Sequence, residues 1–176
     1  MRIEPATSGD VDALVDAWAD LAETQREYGS HLDSEANREA IRPILAYHVV
    51  SGTCLVARVD ETDEVEGAAG SDGRPADGIV GFVNYGLEEA GLEGDATRGV
   101  IHNVYVDPGF RGAGVGSSLL SAAEADLVER GADVVAIEAL ADNEAARRLY
   151  RRRGYALHRV QYERVTESDT NSKEED

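Results

Sequence analysis

Val100-Ile101-His102-Asn103-Val104-Tyr105-Val106-Asp107-Pro108-Gly109-Phe110-Arg111-Gly112-Ala113-Gly114-Val115-Gly116 is the stretch that decides the fold. Val100 to Val106 is apolar and β-branched over the length of one buried strand, and Asp107-Pro108-Gly109 ends it as a turn. Gly112, Gly114 and Gly116 then alternate with Ala113 and Val115, and from Val115 onward Leu119, Leu120, Ala123 and Leu127 recur at helical spacing. The order is strand, turn, Arg-Gly-x-Gly-x-Gly, helix.

That order suits an anion. Glycine lets bare N–H groups come close to a ligand, and the unpaired N–H groups and dipole of a helix's first turn favour phosphate. Arg111 adds a full charge at the mouth of the cradle. A Walker loop needs Gly-Lys-Ser/Thr, and the only lysine is Lys173, which argues against nucleoside triphosphate hydrolysis. A dinucleotide fingerprint is closer: Gly112-Ala113-Gly114-Val115-Gly116-Ser117, with Glu138 ending the next strand where a ribose-binding acid belongs. That fingerprint, however, follows its strand directly and opens its fold. Here the turn from Asp107 to Arg111 intervenes and the motif comes late.

Val104 to Gly116 resembles the acetyl-coenzyme A motif of the GNAT-type N-acetyltransferases, Arg/Gln-x-x-Gly-x-Gly/Ala after a strand ending in an Asp-Pro turn. Asp142-Asn143-Glu144-Ala145-Ala146-Arg147-Arg148-Leu149-Tyr150-Arg151-Arg152-Arg153-Gly154-Tyr155 resembles the family's second block, an Asn, a short helix with Tyr, then Gly and an aromatic. The resemblance covers the last two thirds of the chain well, and the first third only in its pattern of elements.

The chain's 176 residues fit one domain, expected over 1–165. No apolar run reaches the length of a membrane span, and the N-terminus lacks a signal-peptide core, so a soluble cytoplasmic protein is expected. Cys54, the lone cysteine, sits in the apolar run Cys54-Leu55-Val56-Ala57 and reads as a buried thiol. Seventeen basic residues against thirty-five acidic ones give a net charge of −18, and every basic residue but Lys173 is arginine. Such acidity suits very high salt, where screening removes self-repulsion, and we read it as adaptation to a halophilic cytoplasm. The same charge disfavours nucleic acid.

Arg2 to Pro5 reads as a first strand, Thr7-Ser8-Gly9-Asp10 as a capping box, and Val11, Leu14, Val15, Trp18, Leu21 and Ala22 as the apolar stripe of a helix. A second helix is expected from Ser34 to about Val50, broken or kinked at Pro43. Strands follow at Thr53–Val59, Ile79–Tyr85 and Val100–Val106, joined by acidic loops over 60–77 and 87–97, the first of them long and mobile, to make an antiparallel meander. The glycine-loop helix stops at Gly131, Val134–Ala139 is a strand in parallel with its predecessor, Asn143–Arg153 a short helix, and Tyr155–Val165 one or two last strands. Thr166–Asp176 is expected to be a disordered acidic tail.

The resemblance then implies a fold class and a site. The fold is α/β of the α+β type: a mixed, mostly antiparallel sheet of six or seven strands with a splayed parallel pair, flanked by about four helices. Pantetheine inserts at the splay, beside the backbone of Val104, Tyr105 and Val106; the pyrophosphate lies on the amides of Gly112, Ala113, Gly114, Val115, Gly116 and Ser117 with Arg111 nearby; Asn143 contacts the pantetheine arm, besides being a natural helix N-cap. Tyr150 matches the general acid that protonates the leaving thiolate. The general base is not marked: many relatives use a Glu on one of the splayed strands, and here Glu138 and His102 are the candidates. Most of the five arginines between Arg147 and Arg153 would form a solvated face, with one or two available to the 3′-phosphate. No His or Cys spacing suggests a metal.

The sequence therefore reads as an acetyl-CoA-dependent N-acetyltransferase acting on a small-molecule or peptide primary amine by direct attack in a ternary complex. No nucleic acid or membrane partner is expected, and a homodimer is compatible with it. A coenzyme A-binding regulatory module without turnover, or a nucleotide-cofactor oxidoreductase using the same glycines, are the alternatives.

Overall fold

Val56 and Ala57, and again Phe82 and Val83, are sequence neighbours that enter different hydrophobic cores, because successive side chains of a strand leave opposite faces. In the computed structural model, which describes residues 1–60, 78–88, 95–164 and 166, these pairs belong to a single five-stranded sheet with the strands in chain order. The elements run β1 (Arg2–Pro5), α1 (Val11–Arg26), α2 (Arg38–Val50), β2 (Cys54–Arg58), β3 (Ile79–Leu87), β4 (Arg98–Val106), α3 (Val115–Glu129), β5 (Val134–Ile137) and α4 (Glu144–Arg152). β1 to β4 form the antiparallel meander, and β5 joins β4 in parallel.

Helices cover both faces. Leu14, Val15 and Trp18 of α1 and Ile41 and Leu45 of α2 meet Cys54, Val56, Phe82 and Tyr105 on one side. Leu119, Leu120, Ala123 and Leu127 of α3 meet Ala57, Val80, Val83, Tyr85 and Ile101 on the other. Burial of Cys54 pushes its thiol up to about 12, so it remains a neutral packing group at physiological pH. At the start of α1 the Thr7 N–H and hydroxyl both donate to Asp10 at 2.8 Å, and Asp10 also accepts from Arg58 at 2.8 Å, which ties the first turn to β2. Among the described residues no helix is long and apolar enough to cross a membrane.

Three expectations need correcting. Among the described residues the sheet has five strands, not six or seven: residues 155–164 form none, because a strand exists only in a ladder and this segment finds no partner edge among them. The second helix begins at Arg38 rather than at Ser34 and runs through Pro43 without a break, so the proline forgoes one backbone bond instead of dividing the helix. β5 and α4 are each shorter than their sequence patterns. Most of the acidic loops at 60–77 and 87–97 and of the tail at 166–176 lies outside the described residues.

The detail that positions the site is in β4. Asn84 pairs with Asn103 and Tyr85 with Ile101, so His102 is an extra residue in β4, a β-bulge. The bulge explains why Ile101 and Val104, three apart, face the same α3 core. On its other edge β4 pairs with β5 only from Arg98 to Ile101. From His102 to Val106 that edge has no strand beside it among the described residues.

Candidate active site

The open edge of β4 leads into the glycine loop. Asp107 accepts from the Gly109 N–H at 2.8 Å and caps a 3-10 turn over Pro108–Phe110, while the Arg111 Nε donates to the Val106 carbonyl at 3.1 Å and ties loop to strand end. Gly112 and Gly114 have φ of +83° and +81°, a left-handed conformation that side chains strain, and an added Cβ on either would point into open space. Among the described residues no backbone carbonyl accepts from the N–H groups of Gly112 through Ser117; the Ser118 N–H is the first to close a helical bond, to Gly114. These free donors and the dipole of a 15-residue helix make a site for an anion. They border a cavity of about 280 Å³ whose lining includes Val106, Arg111, Gly112, Gly114, Ser117, Ala145, Leu149 and Arg152.

α4 forms the opposite wall. Asn143 caps it, its Oδ1 accepting from the Ala146 N–H at 3.0 Å, which leaves the side-chain NH₂ group for another partner. The helix is fixed to α3 through Glu124: Arg153 Nε donates to it at 3.2 Å and the Tyr155 hydroxyl at 2.8 Å, while Arg153 Nη1 also reaches the Ser117 carbonyl at 3.2 Å. Arg153 thus leaves the solvated face expected of it, whereas Arg152 lines the cavity. Tyr150 packs on the α3 core with its ring 5.9 Å from that of Tyr155, and burial pushes its phenol up to about 12.

Across the open edge lies a second group of side chains. His102, on the bulge, packs its ring 5.3 Å from the ring of His48, which comes from the last turn of α2 and is buried. His48 Nδ1 is 2.9 Å from the Thr53 hydroxyl. Both imidazoles are held below the usual histidine range. For His48 the cause is burial first and the neighbouring His102 second, opposed by a hydrogen bond to the Tyr85 backbone. For His102, which is exposed but packs against the His48 ring, the cause is desolvation, opposed by the charge of Glu138. Glu138, just past the last residue of β5, is exposed.

A family model described as the acetyltransferase (GNAT) family matches residues 16–155, most of the chain. The protein belongs to that family. It is accordingly an acetyl-CoA-dependent acyltransferase. Its fold is similar to that of a GCN5-related N-acetyltransferase from Ralstonia eutropha JMP134, with 21% identity, a TM-score of 0.67, and 93% of this chain and 97% of that one covered. Aminoglycoside N-acetyltransferase AAC(6')-Iy in complex with CoA is similar over 93% of each chain at 13% identity and a TM-score of 0.63. The aminoglycoside 6'-N-acetyltransferase AAC(6')-IG of Acinetobacter haemolyticus is similar over 96% of this chain and 100% of its own, at 17% identity and a TM-score of 0.60. No curated protein matches the sequence.

In this acetyltransferase the residues singled out from sequence fall in three places. Arg111 and Gly112 to Ser117 line or border the cavity; Val104, Tyr105 and Val106 form the open edge; Asn143 and Tyr150 stand at the start and on the inner side of α4. Tyr105 and Val115 offer only their backbones, since both side chains are buried in the cores. His102 and Glu138 flank the point where β4 and β5 part. Sequence reading missed Ala145 and Leu149, which with Arg152, one of the arginines it left available to a phosphate, have the i, i+4, i+7 spacing of one face of α4. It also missed His48, brought to His102 only by tertiary packing.

Proposed function

We propose that this acetyltransferase transfers the acetyl group of acetyl-CoA to a primary amine by direct attack within a ternary complex. The observation that carries the reading is the run of N–H groups from Gly112 to Ser117 without a backbone acceptor among the described residues, beside the half of β4 whose outer edge has no described strand on it. The residues fit the donor: the amides and Arg111 would hold its pyrophosphate, Arg152 stands where a further phosphate could be met, and the backbone of Val104 to Val106 would pair with its amide-containing arm. The Asn143 NH₂ group is available to the same arm. Bound, acetyl-CoA supplies an activated acyl thioester.

The chain's own groups then manage protons. Tyr150 stays protonated at neutral pH because its phenol is pushed up to about 12, and it donates to the departing thiolate. On the other side the acceptor ammonium must lose a proton before attack. His102 is neutral at pH 7, since its pKa is lowered, and it accepts that proton directly or through water, with Glu138 stabilising the resulting cation.

The acceptor is a small-molecule or peptide amine. The aminoglycoside acetyltransferases with this fold support including aminoglycosides in the amine panel. We read residues 1–165 as one catalytic domain and the −18 charge as adaptation to a halophilic cytoplasm, without nucleic acid or membrane partners. The test is a thermal-shift series in high potassium chloride with acetyl-CoA, coenzyme A, NAD and ATP, followed by acetylation of the panel. Acetyl-CoA and coenzyme A raise Tm, and Gly114→Asp abolishes the shift by placing a carboxylate where phosphate belongs. Protection by NAD alone would overturn the reading, and coenzyme A binding without acetylation of any amine would reduce the protein to a binding module.

A further inference from the structure

Asn84, on the central strand β3, is 1% exposed, and half of its side chain is unused. Its oxygen accepts from the Asn103 NH₂ group on β4 at 2.9 Å, and that is the one bond either side chain makes among the described residues. Turning both amides over only reverses this bond: one NH₂ group and one carbonyl oxygen are always left over. The other buried polar side chains, Asp10, Ser34, His48 and Thr53, all have partners. Tyr85 Oη is the sole side-chain polar atom sealed from water without a partner among the described residues, so the spare Asn84 group is not walled in but opens to solvent. A buried amide left half-bonded is costly and calls for a partner from outside the chain.

The pair sits beside the proposed base. Asn84 and Asn103 stand opposite each other in the β3–β4 register, and Phe82 and Tyr105, two residues along on each strand, belong to the core beneath α1 and α2, so both asparagines face that way. Successive strand residues ordinarily alternate, but the bulge turns His102 to the same side, where its ring meets His48 of α2. The parallel pairing with β5 ends just before them, at Ile101. The imidazole, the spare NH₂ group and the spare oxygen thus share one face at the point where β4 and β5 part.

An acceptor that satisfies the pair needs a donor and a carbonyl side by side. The α-aminoacyl unit has both: its amine bears N–H, its carbonyl is one carbon away, and in an extended residue the two point the same way, as they do in a strand ladder. The amine would donate to the spare oxygen and the carbonyl would accept from the spare NH₂ group, which fixes the nitrogen beside His102. A lysine side chain, whose amine ends a four-carbon stem, and an amino sugar offer no such carbonyl. Resting on the transfer reaction above, we propose that the Asn84–Asn103 pair selects an α-aminoacyl acceptor, the N-terminal residue of a peptide or an amino-acid amide.

The test compares kcat/KM, referred to the unprotonated amine and with acetyl-CoA saturating, for alaninamide, the dipeptide amide Ala-Ala-NH₂ and isopropylamine, which lacks the carbonyl. The wild type prefers the carbonyl-bearing amines by about tenfold or more, since without that carbonyl the Asn84 group stays unpaired. Asn84→Leu with Asn103→Leu replaces both amides by apolar groups of similar shape, which folding tolerates, and brings the preference below about threefold. The acetyl-CoA shift in Tm is kept. Should that variant not fold by circular dichroism, Asn103→Ala, at the half-buried member, gives the same loss of preference. A dipeptide better than alaninamide names a peptide as the source of the unit, and the reverse names a free amino-acid amide. Equal kcat/KM for all three amines in the wild type, or a preference that survives the substitutions, overturns the role of the pair and leaves acetyl transfer standing; no acetylation of any amine overturns both.

Discussion

In the proposed reaction Tyr150 and His102 carry the chemistry, and each makes a distinct prediction. Tyr150→Phe removes one hydroxyl from a packed ring, so acetyl-CoA binding by thermal shift is retained while kcat falls by about 10²–10⁴, the usual contribution of a positioned acid. Full activity in that variant removes Tyr150 from the mechanism. His102 must be neutral to accept a proton, and its pKa is lowered, so the acid limb of kcat/KM has its midpoint below about 6.5, the ordinary imidazole value. Glu138 works against that lowering, so Glu138→Gln moves the limb to still lower pH, and His102→Gln abolishes it. An unchanged limb in His102→Gln excludes His102 as base. Tyr150 and Arg111 were legible in the sequence because each belongs to a short motif whose geometry is local. The contact between His48 and His102 was not, since it depends on where α2 docks and on a bulge that exists only once β3 and β4 are paired.

Among the elements, β3 and β4 approach α3 so closely that glycine is required where no turn is. At Gly81 an added Cβ would sit 2.7 Å from the Tyr105 carbonyl oxygen and 3.2 Å from Leu119 Cδ1. Gly81→Ala therefore costs about 1–3 kcal/mol, read as a lower urea midpoint at unchanged slope. An unchanged midpoint would mean that the strands separate without penalty. The meander and the strand-helix-strand unit were readable because period-2 and period-3.6 patterns are properties of the segment itself. The count of strands was not, because 155–165 has the pattern of a strand and pairing is settled by another edge.

At the scale of the whole molecule, charge dominates. With a net −18, raising potassium chloride from 0.1 M to 1 M shortens the Debye length from about 10 Å to about 3 Å, so Tm by calorimetry rises with salt; a flat or falling Tm would remove self-repulsion as a destabilising force. Acid acts through the paired imidazoles of α2 and β4. His48 and His102 have lowered pKa values, so the folded state binds fewer protons than the unfolded one and stability declines as pH falls below about 6.5. A second decline comes below about 3.9, where Asp10, held low by Arg58 and Thr7 against the effect of its burial, takes up a proton. The net charge was plain from composition, whereas these groups needed the fold to bring them together. Glu124, by gripping both Arg153 and Tyr155, makes the ends of α3 and α4 into one stiff span. In the proposed reaction the protein therefore works as a gauge: the place that would anchor one end of the donor and the phenol that would serve the other stand a set length apart before anything binds. A thioester on a shorter arm would hang out of reach, however reactive it was.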